Sequence, residues 1–308
     1  MSNSYEWFLD LSDKITTSIA ARTNEAITTV FQETEGFDGL DVSFVQIGYA
    51  FLPDPISPQS YIARGPYANP ASYKEQMDAS VERGWLEVVG EDRYALTEKS
   101  RKWAKNFLAL GDQFFGDLPM LLEGETERLV SLLTQFVRQA SQMPGVGALP
   151  TLQIGLKLEP GPDAHLMTRL RRKITDVFYF RDDVHIMAWQ PYGMDGKTWE
   201  VLTQVWRGEA STAVDLAESL SAYRYYTEGD YAVALDDLTS KGWIVPEGDK
   251  FIATEKGKQL RQEAEDRTDQ LFYTPLQYFS ESERVELKNL MEKLAEVLAV
   301  SDVEPAAG

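Results

Sequence analysis

The sequence predicts a mainly α protein built from two tandem repeats, each with short helices, a small two-stranded β-wing and long flanking helices. Three observations carry this prediction. First, the stretch SYKEQMDASVERGWL at 72–86 returns as DYAVALDDLTSKGWI at 230–244. The spacing of 158 pairs Tyr73 with Tyr231, Met77 with Leu235, Asp78 with Asp236, and Gly84-Trp85 with Gly242-Trp243. Second, the likeness continues on both sides. Tyr94 to Lys99 faces Phe251 to Lys256, Leu129, Leu132, Leu133 and Phe136 face Leu287, Leu290, Met291 and Leu294, and Asp38-Gly39 faces Asp195-Gly196. Third, a connector rich in Pro and Gly, SQMPGVGALPTLQIGLKLEPGPD, separates the copies.

Each element has its own signal, clearest in the second copy. From 163 to 190, Leu166, Leu170, Ile174, Val177, Phe178 and Val184 approximate a 3.6-residue period and predict a long helix. Pro191-Tyr-Gly193 then predicts a turn, followed by helices near 197–207 and 211–221, the latter with Ser211 or Thr212 placed to cap it. A third short helix runs from about 228 to 241 and ends at Gly242. Trp243 to Val245 and Phe251 to Ala253, separated by Pro246-Glu-Gly-Asp-Lys250, read as a hairpin. Thr254 precedes a helix of about 20 residues, and Ser280-Glu-Ser-Glu283 opens a last amphipathic helix reaching about 299. In the connector, Leu152, Ile154, Leu156 and Leu158 alternate with other residues and predict a short strand or extended clamp. The expected organisation is a first repeat at 1–140, a linker at 141–162, a second repeat at 163–299 and a disordered tail at 300–308.

Composition narrows the function. The 308 residues hold 49 acidic and 30 basic side chains, a net charge of −19, which repels phosphate backbones unless cations gather on one face. Without cysteine there is no disulfide, thiolate nucleophile or Cys-ligated metal. The start lacks a basic segment followed by an apolar core, and no run reaches the roughly 18 apolar residues of a membrane span. The expectation is therefore an unexported, cytoplasmic, acidic protein with no membrane partner.

Gly242-Trp-Ile, followed by Ala253-Thr254-Glu255-Lys256-Gly257 and preceded by three short helices, resembles the MarR family of winged-helix regulators. Two copies in one chain, with Asp183-Val-His185-Ile-Met-Ala-Trp189, are similar to the SalK-like tandem helix-turn-helix proteins. The resemblance implies two MarR-like winged-helix repeats around a pseudo-two-fold core of terminal helices, a monomer that imitates a homodimer. It also implies transcriptional regulation, with DNA met by the fourth helix and a basic wing. If that contact is retained, its candidates are Arg64, Tyr73, Lys74, Gln76 and Arg224. The sequence departs from the pattern, because residues 69–83 carry one net negative charge and residues 228–241 carry three. Carboxylates facing phosphates and base edges weaken or abolish duplex binding.

Chemical motifs are sparse. No nucleophile elbow, P-loop or dinucleotide fingerprint is present, no second histidine lies near His185 to make a metal site, and neither a catalytic residue nor a cofactor is assigned. The run from Arg169 to Lys173 reads as a solvated helix face balanced by nearby acids. His185 and Trp189 lie one helical turn apart, and with Trp199, Trp206, Phe178 and Tyr225 they make the second copy the expected ligand pocket. The competing reading places them in a filled core. The function expected is a non-enzymatic binding protein for a small hydrophobic or aromatic ligand or a protein partner. The alternatives are a DNA-binding regulator and an enzyme using His185 as base.

Overall fold

The computed structural model describes residues 5–34, 36–37 and 39–300. Of the expected tail at 300–308, residue 300 ends the last helix, while residues 301–308, and Asp38 of the Asp38-Gly39 pair, lie outside the described residues. The chain is mainly helical. It runs α1 (Glu6–Gln32), α2 (Gly39–Ala50), α3 (Pro58–Ile62), α4 (Pro70–Glu82), β1 (Leu86–Gly90), β2 (Arg93–Leu96), α5 (Glu98–Ala109), α6 (Gly111–Phe115) and α7 (Glu123–Ser141). It continues as α8 (Pro150–Lys157), α9 (Leu166–Trp189), α10 (Gly196–Arg207), α11 (Ala213–Arg224), α12 (Glu228–Ser240), β3 (Ile244–Glu247), β4 (Lys250–Ala253), α13 (Glu255–Tyr273) and α14 (Glu281–Val300). Two compact units result. One is drawn from Met1–Leu52, Leu96–Asp182 and Phe272–Gly308, the other from Pro53–Ala95 and Asp183–Leu271.

In the first unit α1 and α7 both pack on α14. Their contact is apolar because each presents a helical stripe: Phe8, Leu11, Ile15 and Ile19 on α1, and Leu129, Leu132, Leu133 and Phe136 on α7. Four rings close the core, with Phe136 centred 4.7 Å from Phe8, 6.0 Å from Phe272 and 6.1 Å from Phe180. Arg128 on α7 makes a two-pronged ion pair with Glu286 on α14, its Nη2 at 2.7 Å from Oε2. No described helix is long and apolar enough to cross a membrane.

The connector differs from its expectation. Leu152, Ile154, Leu156 and Leu158 do not form a strand but lie in or beside helix α8, which Pro150 opens at its first turn. The buried residues are Thr151, Leu152, Ile154 and Gly155, a helical face rather than an alternating one. Tertiary contact decides this: a β-carbon on Gly155 would stand 2.0 Å from Asp176 Oδ1, so α8 lies flush on α9. The basic run on α9 is likewise no solvated face. Lys173 is buried and bonds Glu159 at 2.5 Å, while Arg172 meets the buried Asp176 at 2.9 Å. Burial pushes the Asp176 carboxyl up, and Arg172 and Lys173 pull it back only in part.

In the second unit the order of short helices and wing follows the sequence signals. The wing turn is tighter than expected, because Pro246 and Lys250 pair into the ladder (Pro246 with Phe251, Glu247 with Lys250) and leave Gly248-Asp249 as the loop. Gly248 supplies the positive φ, 62°, that this short turn requires.

Candidate functional site

The second unit holds α10, α11, α12 and the β3–β4 wing, and local chemistry fixes each helix in it. Asp195 caps α10 by accepting the Thr198 N–H at 2.7 Å, and Gly208, at φ 72°, ends it. Thr212 caps α11 by accepting the Asp215 N–H at 3.0 Å. Thr227 and Asp230 form a capping box at the start of α12. Gly242, at φ 71°, turns the chain out of α12, and the Trp243 N–H closes back on the Leu238 carbonyl at 3.0 Å. The Thr254 hydroxyl donates to the Gly242 carbonyl at 2.8 Å and accepts from the Gly257 N–H at 3.1 Å. A β-carbon on Gly257 would stand 2.0 Å from the Trp243 carbonyl oxygen, so the Gly-Trp-Ile and Ala-Thr-Glu-Lys-Gly words are two sides of one joint.

Behind these helices lies an aromatic cluster. Trp199 stacks on Trp189 at 5.7 Å and 12°, and on Tyr192 at 6.2 Å and 6°. Arg261, only 1% exposed, spreads its guanidinium 4.4 Å from the Trp199 ring centre and 5.1 Å from that of Trp206. It donates to Thr203 Oγ1 at 2.9 Å and pairs with Glu265 at 2.7 Å, which gives the buried charge a counterion. The Trp189 indole donates to the Tyr67 hydroxyl at 3.0 Å. His185 is half-buried, 6.3 Å from Trp199, with Nδ1 at 3.2 Å from Thr268 Oγ1.

Of the expected ligand residues, His185, Trp189, Trp199, Trp206 and Tyr225 fall in this unit, while Phe178 belongs to the other. Trp189 and Trp199, each 1% exposed, are core side chains, and Trp189, Tyr192 and Arg261 pack on the Trp199 ring where a flat ligand would need to stack. Three surface hollows of about 900, 440 and 430 Å³ are lined by Arg128 and Lys293, by Arg138 and Arg169, and by Lys105 and Lys157 respectively. None of the three is lined by His185 or Trp189. Arg261 and Tyr192 escaped sequence reasoning, since Arg261 sits 58 residues from Thr203 and no local pattern links them.

The expected DNA contacts are differently placed. Tyr73 is buried, its hydroxyl donating to the Gly65 carbonyl at 3.2 Å, so its ring supports α4 rather than facing outward. Arg224 is held by Glu200 at 2.7 Å. Burial pushes the Glu200 carboxyl up, and Arg224 draws it back only in part. Lys74 is exposed but lies 2.9 Å from Asp78 and 3.5 Å from Asp92. Arg64 donates to the Ser60 carbonyl at 2.8 Å, and Gln76 is half-buried. On α12 the exposed positions are Glu228, Gly229, Val233, Asp236 and Ser240.

The caps give a pH dependence. The Thr227 backbone N–H and hydroxyl hold the Asp230 carboxyl below the usual carboxylate range, and the Ser211 backbone with the Thr212 hydroxyl does the same for Asp215. A folded value below the unfolded one means that stability is present above the ordinary carboxylate range and is lost as pH falls through the folded value. Carboxyl-carbon NMR titration should therefore place both groups below an ordinary aspartate. Values at or above the ordinary one would show that the caps are not formed in solution.

A family model described as a helix-turn-helix family matches residues 159–305. No curated protein and no solved structure matches the chain. The matched span contains α9 to α14, the wing included, so this part of the chain carries a helix-turn-helix domain.

Proposed function

We propose that this helix-turn-helix protein is a DNA-binding transcriptional regulator of MarR type, in which two repeats within one chain stand in for a homodimer. The observation that carries this reading is the coincidence of the helix-turn-helix family match with a complete, capped α10–α11–α12–wing unit. The tandem arrangement draws support from contacts between residues one repeat apart. Arg128 meets Glu286 in one unit, and in the other the Tyr226 hydroxyl meets the Ala68 carbonyl, each pair 158 positions apart. A residue touches its own counterpart where a two-fold axis passes between them. A monomer follows, because the chain already supplies both halves of the interface.

Charge sets the strength of the duplex contact. The segments 53–95 and 183–271 hold 13 Lys and Arg against 24 Asp and Glu. Lys74, Arg224 and Lys241 are each engaged by a carboxylate. Few cations are left to release counterions, so affinity is low at physiological salt. The same distribution favours a second reading, a module that binds a small hydrophobic or aromatic ligand or a protein partner, because the outer face of α12 offers carboxylates and Val233 rather than amides and cations.

Selection from a random duplex library at low salt separates the two. The regulator reading expects a two-fold symmetric sequence, bound more weakly at physiological salt than the roughly 10⁻⁸ M or better typical of specific regulators. Absence of enrichment at every salt concentration would leave the binding-module reading in its place.

A further inference from the structure

The two turns of the paired helix-turn-helix segments meet each other within one unit. The segment from Gly65 to Asn69, which leads from α3 to α4, lies against the α11–α12 turn and the start of α10. The Asn69 backbone N–H donates to the Arg224 carbonyl at 2.8 Å, and its side-chain amide donates to the Tyr225 carbonyl at 3.2 Å. The Tyr226 hydroxyl donates to the Ala68 carbonyl at 3.2 Å. The Trp189 indole donates to the Tyr67 hydroxyl at 3.0 Å, and the Arg224 guanidinium stands 5.3 Å from the Tyr67 ring centre. At Gly196 the backbones approach so closely that a β-carbon would stand 2.1 Å from the Pro66 carbonyl oxygen. Tyr225 has φ 59°, a left-handed conformation that a non-glycine residue keeps only when its surroundings over-determine it.

This contact bounds the separation of α4 and α12. Asn69 and Thr227 are their N-caps. With a 2.8 Å bond from Asn69 to Arg224 and three further residues to Thr227, the caps are at most about 18 Å apart. Helix-turn-helix proteins touch base edges with the N-terminal residues of their recognition helices, and a two-fold pair needs these about 34 Å apart to enter successive major grooves. We propose that the turn-to-turn contact is a latch. It holds the two recognition helices too close for successive grooves, and duplex binding requires its release. This rests on the regulator reading, whose DNA contact it would control.

The absence of cysteine allows a direct test on the full chain. Gln59→Cys and Glu218→Cys place spin labels at exposed positions on α3 and α11, away from α4 and α12. Two variants that break the latch are compared with the labelled parent, in which the latch is intact. Gly196→Leu wedges the backbones apart, and the pair Tyr67→Phe with Tyr226→Phe removes two hydrogen bonds at nearly constant volume and guards against a failure to fold. The closed protein should give one short, narrow distance distribution. The latch variants should lengthen it and bind the selected duplex at least tenfold more tightly. Duplex binding by the otherwise unaltered protein with its short distance retained would overturn the latch alone, as would variants whose distance does not change. Lengthening with no duplex captured at any salt would overturn the regulator reading, and with it the latch as a control of DNA binding.

Discussion

Trp199→Ala should destabilise the helix-turn-helix unit by about 3–5 kcal/mol, the range for removing a large buried aromatic side chain. Trp199 is 1% exposed and is the shared partner of Trp189, Tyr192, His185 and Arg261. Its removal opens a cavity beside Trp189, Tyr192 and Arg261, and collapse is opposed because Trp189 is tied to Tyr67 through its indole N–H. Arg261 loses the face it covers while keeping its buried charge, so the lost contact is electrostatic as well as dispersive. Urea unfolding followed by far-UV circular dichroism measures the effect. A loss under about 1 kcal/mol would mean that the cluster is loosely packed in solution, which would restore the open aromatic pocket as the better account of these residues.

Phe136→Ala should cost a similar amount, about 3–5 kcal/mol, in the other unit. The ring is fully buried and lies 4.7 to 6.1 Å from Phe8, Phe272 and Phe180, which are contributed by helices far apart in sequence. These offset ring pairs add to the area that they bury. Near-UV circular dichroism with a urea titration should show a weakened phenylalanine signal and an earlier midpoint. An unchanged midpoint would show that α7 does not depend on this cluster for its docking.

Much of this protein was legible because its signals are local. A cap at Ser211 or Thr212, Gly242 as a helix stop and Thr254 at the start of α13 act on neighbours a few residues away and were readable from spacing, and the structure assigns the cap to Thr212. Repetition reinforced them, since the same words recur 158 positions apart. Other features were closed to a linear reading. The alternation of Leu152, Ile154, Leu156 and Leu158 suits a strand, yet the flush contact of Gly155 with Asp176 selects a helix. Spacing one helical turn apart puts His185 and Trp189 on one face but does not tell a filled core from an open pocket, and Arg261 with Tyr192 fills it. Charge counting marked the fourth helices as acidic, while only the folded chain shows Arg224 and Lys74 already committed to Glu200 and Asp78.

The sequence by itself determined the order of helices, the caps and turns that bound them, the two wings and the excess of negative charge, because each depends on a residue and its near neighbours. The tertiary structure alone decided that Tyr73 supports rather than contacts, that a buried arginine braces the tryptophans, and that the Asn69 and Arg224 backbones bond across 155 positions. Such pairings are made between side chains and carbonyls brought together only when apolar faces are buried, and periodicity along the chain carries no record of which distant face each one meets.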